Sequence, residues 1–126
     1  MKYLFVGEKR SRKARQMKVT WESGKLAAKT LQKALSFSGI SLDDCGFINI
    51  LQENLEFNLI SNTNLRKIKS HVNKGVKIIA MGKLVQRHLA NKNIPHISIV
   101  HPAARGKIRK TELYNQHLYQ TFQKLS

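Results

Sequence analysis

The sequence predicts a single α/β domain built on a mostly parallel, four-stranded sheet flanked by helices. Three observations carry this. Short apolar runs alternate with segments of helical periodicity, in the order β-α-β-(loop)-α-β-α-β-α. The apolar runs are β-branched-rich and bounded by Gly, Asn or His-Pro, as buried parallel strands are. The length, 126 residues, suits one ordinary domain with one core.

Each element has its own signal. Tyr3–Val6 is an apolar run closed by Gly7, a buried first strand. Lys9–Lys18 is the most basic stretch and has almost no apolar periodicity, which predicts a loop or a frayed turn. Leu26–Phe37 places Leu31, Ala34, Leu35 and Ser38 at helical spacing, and Gly39 follows as a stop. Ser41–Cys45 reads as a turn and Gly46–Leu51 as the second strand. In the loop that follows, Leu55, Phe57 and Leu59 alternate as a short extra strand would. Asn62 is placed to cap a helix to Lys74, with Leu65, Ile68 and Val72 inward. Val76–Met81 is the clearest buried strand, and Gly82 opens a helix over Lys83–Asn91. His96–Val100 is the last strand, stopped by Pro102, and a basic loop reaches Lys110. A final helix starts at Thr111 with Tyr114, Leu118, Phe122 and Leu125 on one face.

Charge narrows the partners. Lys and Arg number 23 against 7 Asp and Glu, a formal net charge of +16. A field of that sign on so small a domain fits a phosphate backbone, with affinity that falls as salt rises. Anionic lipid is disfavoured, because no segment sets bulky apolar residues opposite a basic face. No apolar run approaches the roughly 18 to 20 residues of a membrane span. The first residues lack the long apolar stretch of a signal peptide. The expected location is therefore the cytoplasm, or a nucleoid or nucleus, and not outside the cell.

Several chemistries find no support. The lone Cys45 cannot form an internal disulfide, and its expected role is a small packed side chain. The five His residues are scattered with no compact ligand motif, so no metal and no cofactor are expected. A phosphate-binding GxxxxGK[ST] loop is absent, and nothing supports a serine nucleophile elbow.

In parallel sheets, ligands bind beyond the carboxyl ends of the strands. That selects Gly7 onward, Asn49 onward and His101 onward. Glu8 offers a carboxylate that can orient or activate water, or it is a surface acid paired with its basic neighbours. Asn49, inside Phe-Ile-Asn-Ile-Leu, offers a donor and an acceptor for a base edge, or it is satisfied by loop backbone. His101 can donate to a developing oxyanion, or simply end a strand. Trp21, the only tryptophan, is a candidate to stack on a base, or it packs under its loop. Lys9, Arg10, Arg12, Lys13 and Arg15 would grip phosphate. Arg105, Lys107 and Arg109 would lie along the backbone, with Ile108 as a wedge into the base stack.

Together these residues resemble the uracil-DNA glycosylase superfamily. Phe5-Val6-Gly7-Glu8 is similar to its first motif, and Ser23-Gly24-Lys25-Leu26 with Leu31 and Leu35 to the helix that follows. Asn49 matches the strand-end Asn, Ile78–Lys83 the strand-Gly-helix element, and Val100-His101-Pro102 the His-Pro motif. The order agrees over nearly the whole chain. The resemblance implies a DNA glycosylase that flips uracil or a modified pyrimidine out of DNA and hydrolyses its N-glycosidic bond. Glu8 would hold the water, Asn49 would bind the base edge, and His101 would stabilise the departing base. Trp21 would stack on the base, and the Ala103–Arg109 loop would fill the gap in the duplex. Two departures stand out. Lys9-Arg10-Ser11 replaces the proline and small residues that commonly follow Gly-Glu, and Ala103 replaces the serine that commonly follows His-Pro.

Two readings remain open. One is the glycosylase, a monomer acting on double- or single-stranded DNA. The other is a non-catalytic nucleic-acid-binding module of the same fold. Glu8, Asn49 and His101 lining one cleft would favour the first. Glu8 tied to Arg10 or Arg12 would favour the second.

Overall fold

The structure, a computed structural model, describes residues 1–53, 57–104, 106, 108 and 110–125. Four strands, β1 (Tyr3–Gly7), β2 (Cys45–Asn49), β3 (Lys77–Met81) and β4 (Ile97–Ile99), form one sheet in the order β2-β1-β3-β4. Every pairing is parallel. The helices are α1 (Arg12–Met17), α2 (Ala27–Phe37), α3 (Asn62–Asn73), α4 (Lys83–Asn91) and α5 (Thr111–Gln123).

The two faces of the sheet follow from the two-residue period of its strands. Leu4 and Val6 of β1, with Ile78 and Ala80 of β3, pack under α3 and α4 through Leu65, Ile68, Val85 and Leu89. Phe5, with Ile79 and Met81, points the other way into α2 and α5, against Leu31, Leu35, Tyr114, Leu118 and Phe122. The register places Phe5 beside Phe47 on one side and Ile79 on the other. Parallel pairing is thus buried on both faces, as continuous apolar strands require. Phe5 is fully buried and stacks on Phe47 with ring centroids 5.5 Å apart. Phe5→Ala is expected to destabilise the fold by about 3–5 kcal/mol, read as a lower denaturation midpoint at unchanged slope.

The chain starts on β1, moves outward to β2, then crosses back over β1 to β3. The connections leaving β1 and β3 therefore run on opposite faces, and their loops diverge at the carboxyl end of the sheet. Gly7, Asn49 and the residues after Ile99 all lie at that end.

Three local expectations need correction. Lys9–Lys18 holds a helix, α1, and is not a loop throughout. Ser11 caps it by accepting from the Ala14 amide at 3.1 Å, and Lys18 closes it in the left-handed region. None of its residues is buried, so no periodicity could reveal it. Ser61, not Asn62, caps α3, its hydroxyl accepting from the Asn64 amide at 3.2 Å. Phe57 and Leu59 are exposed and form no strand; the loop instead closes on a single antiparallel bridge between Leu51 and Ile60. Leu55 lies outside the described residues.

Candidate active site

The carboxyl ends of β1, β2 and β4 converge on an open cleft of about 1010 Å³. Glu8, Trp21, Asn49 and His101 all line it.

Glu8 follows β1 directly. Its backbone carbonyl accepts from the Leu51 amide at 2.9 Å, which extends the β1–β2 pairing and fixes its position. Among the described residues, no hydrogen bond or ion pair occupies its carboxylate. Arg10, the neighbour expected to compete for it, turns instead to Glu53, with Nη2 donating to Oε2 at 2.8 Å. Arg15 joins the same carboxylate at 3.8 Å. The Arg10 hydrogen bonds hold the Glu53 carboxyl below its usual range. Glu53 thus ties α1 to the loop after β2.

Asn49 ends β2, half-buried. Its side-chain Oδ1 accepts from the Trp21 indole Nε1–H at 3.2 Å, and its backbone carbonyl accepts from Asn64 Nδ2 at 2.8 Å. The indole is a donor only, so it sets the amide orientation: Oδ1 faces Trp21 and the Nδ2 hydrogens face away from it. Gly7 makes room for this contact. A Cβ there would stand 2.7 Å from Asn49 Oδ1 and 3.1 Å from Trp21 Nε1. Trp21 also meets His101 edge-on, with ring centroids 5.9 Å apart. Its position comes from a short 3-10 turn, Trp21–Ser23, and from Gln32 of α2, which donates to the Trp21 carbonyl at 2.9 Å. Trp21, a candidate to stack on a base or to pack under its loop, uses its indole edge to hold Asn49.

His101 leaves β4 two residues after Ile99. Its Nδ1 accepts from the Ala103 amide at 3.0 Å. A backbone N–H can only donate, so the neutral ring carries its proton on Nε2. Burial pushes the His101 pKa below its ordinary value of 6.5, against a smaller upward pull from the Glu8 carboxylate. Geometry and burial agree on a neutral imidazole with its proton on Nε2.

The segment before His101 is held by α5. The Val100 amide donates to His117 Nε2 at 3.0 Å, and the Tyr114 hydroxyl donates to the Val100 carbonyl at 2.7 Å. These side chains satisfy backbone groups that the short strand β4 leaves over. His117 must be neutral to accept, and burial lowers its pKa as well.

Both imidazoles bind protons more readily in the unfolded chain than in the fold. Their contribution to stability is therefore fully present above about pH 6.5 and is lost as pH falls from there through the lower pKa values of the fold. The melting temperature is expected to drop between about pH 7.5 and about pH 5.5, and the double variant H101Q/H117Q to drop less over the same interval.

Lys9, Arg10, Arg12 and Lys13 line the same cleft as Glu8. Arg15 lies in an adjoining depression with Arg10 and Arg12. Ile108, the candidate wedge, is half-buried and packs against the core cluster beneath α2 and α5. Arg105, Lys107 and Arg109 lie outside the described residues. No three His, Cys, Asp or Glu among the described residues cluster to hold a metal, and no helix among them is long and apolar enough to cross a membrane.

Sequence reading missed Asn64, Glu53, Tyr114 and His117 as members of this site. Each acts on a residue 14 or more positions away, and no local motif marks such a contact. The chain matches no known protein-family model and no curated protein.

Proposed function

We propose that this protein is a DNA glycosylase that removes uracil or a modified pyrimidine by hydrolysing its N-glycosidic bond. One observation carries the reading: a carboxylate with no hydrogen bond or ion pair among the described residues, an oriented amide and a neutral imidazole donor line one cleft together with several cations. That set suits a reaction needing a water, a base reader and an anion stabiliser.

The reading assigns each residue a role. Lys9, Arg10, Arg12 and Lys13 hold the phosphates beside the flipped nucleotide. Asn49 donates through Nδ2 to a carbonyl oxygen of the base. Glu8 accepts a proton from a water whose oxygen bonds to the sugar C1′. The C1′–N bond breaks, and its electron pair stays on the base nitrogen. His101 Nε2–H donates to the base oxygen where that negative charge collects. Glu8 gives its proton up to solvent and solvent protonates the base anion, leaving an abasic sugar and the ionised carboxylate.

The test is an incubation with duplex and single-stranded DNA carrying uracil or 5-substituted pyrimidines, followed by hot alkali. Strand scission at the modified position is the expected result. Intact strands on every substrate, together with tight binding, would replace the reading with that of a non-catalytic nucleic-acid-binding module.

A further inference from the structure

We propose that the outer face of α3 and α4 is a second surface for duplex DNA, separate from the cleft. The idea rests on the nucleic-acid part of the functional reading and not on base excision.

The first observation is the distribution of carboxylates. From Phe57 to Thr111 the chain contains no Asp or Glu. That span supplies all of α3, β3, α4 and β4. Folded protein surfaces ordinarily intersperse both signs, because a single-sign face repels itself. The three ion pairs among the described residues join Lys2 to Asp44, and Arg10 and Arg15 to Glu53. None involves α3 or α4.

The second observation is placement. Both helices cover the same face of the sheet, burying Leu65, Ile68, Val85 and Leu89. Their opposite sides carry Arg66, Lys69, Lys74, Lys83, Arg87 and Lys92, all exposed. Both helices begin at the cleft end of the sheet and run away from it. The 12 residues of α3 extend about 18 Å, so Lys74 stands one helix length from the cleft. A duplex seated over Glu8 and His101 meets the near ends of these helices and leaves the far cations free for a second segment.

The third observation selects the partner. Neither helix contains Phe, Tyr or Trp, so the face offers no platform for stacking unpaired bases. It also lacks the exposed bulky apolar residues by which an interfacial helix enters a membrane. Lys and Arg interleaved with Asn, Ser, Thr and Gln are the groups that contact phosphate and sugar without reading sequence. A duplex backbone is the partner that this chemistry fits.

The experiment uses the full chain and two uracil-free duplexes, one carrying a donor dye and the other an acceptor. At low salt the wild type is expected to bring the two together and give energy transfer. The variant R66Q/K69Q/K74Q/R87Q is expected to lose the transfer while still binding one duplex. Its plot of log affinity against log salt should be shallower by up to about 3.6, at about 0.9 for each phosphate contact removed. Unchanged transfer and slope in the variant would overturn the proposal, as would no transfer with wild type. Phosphatidylserine vesicles are the competing partner: wild-type binding to them that the variant loses, with the DNA slope unchanged, would also overturn it. Because the duplexes hold no substrate base, failed excision and a failed second surface are separately visible.

Discussion

Glu8→Gln is expected to lower base excision by about 10²- to 10⁴-fold while leaving duplex affinity within about threefold of wild type. The amide matches the carboxylate in shape but cannot take a proton from water. Among the described residues Glu8 makes no side-chain hydrogen bond or ion pair, so the exchange breaks none of these; it removes only the carboxylate's pull on His101. Its neighbours stay in place, since the backbone carbonyl of residue 8 keeps its bond to the Leu51 amide. A rate loss without a change in melting temperature would therefore belong to the chemistry. If excision and affinity fell together, Glu8 would be acting in DNA binding and its assigned role would be wrong. The readout is single-turnover excision beside a binding isotherm at the same salt.

The second large effect concerns Asn49 and Trp21. Asn49→Ala is expected to reduce excision about 10- to 100-fold, the value of one well-placed hydrogen bond to a base edge. Trp21→Phe is the more informative change. It keeps an aromatic ring but deletes the indole N–H that holds Asn49 Oδ1. The amide is then free to turn, and Oδ1 can accept from an amino group. Discrimination between pyrimidines with a 4-oxo and a 4-amino group is expected to fall by about tenfold or more, with smaller loss on the better substrate. Gly7→Ala should mimic it, because its Cβ would press on both partners. Retained discrimination in Trp21→Phe would show that Trp21 serves only to pack the loop.

The strands were legible because burial on both faces forces unbroken apolar runs, and Ile78–Met81 can be little else. The helices α2 and α5 were legible from the spacing of Leu31, Leu35, Leu118 and Phe122, all of which are buried. Helix α1 was not, because it is held by its Ser11 cap and by the Arg10 and Arg15 contacts with Glu53, none of which leaves a periodic trace. The cap of α3 was misplaced by one residue because Ser61 and Asn62 are equally good cap formers.

At the site, the strand-end rule located Glu8, Asn49 and His101 one at a time. It could not show that Trp21 reaches across 28 positions to orient Asn49. Nor could it show Gly7 as the space that permits the contact, since a strand-ending Gly reads first as a turn. The tautomer of His101 depends on a single backbone amide, that of Ala103. Ala103 thus contributes through its main chain.

The most direct measurement is the free base itself. Wild-type protein would be incubated with a uracil-bearing duplex, and the small-molecule fraction analysed by mass spectrometry. Release of free pyrimidine in equal amount to abasic sites is the result expected here, with Glu8→Gln releasing far less over the same time. All base retained in the DNA, although the wild type binds it tightly and in a salt-sensitive manner, would contradict the glycosylase account and leave a cleft that holds nucleic acid without cutting it.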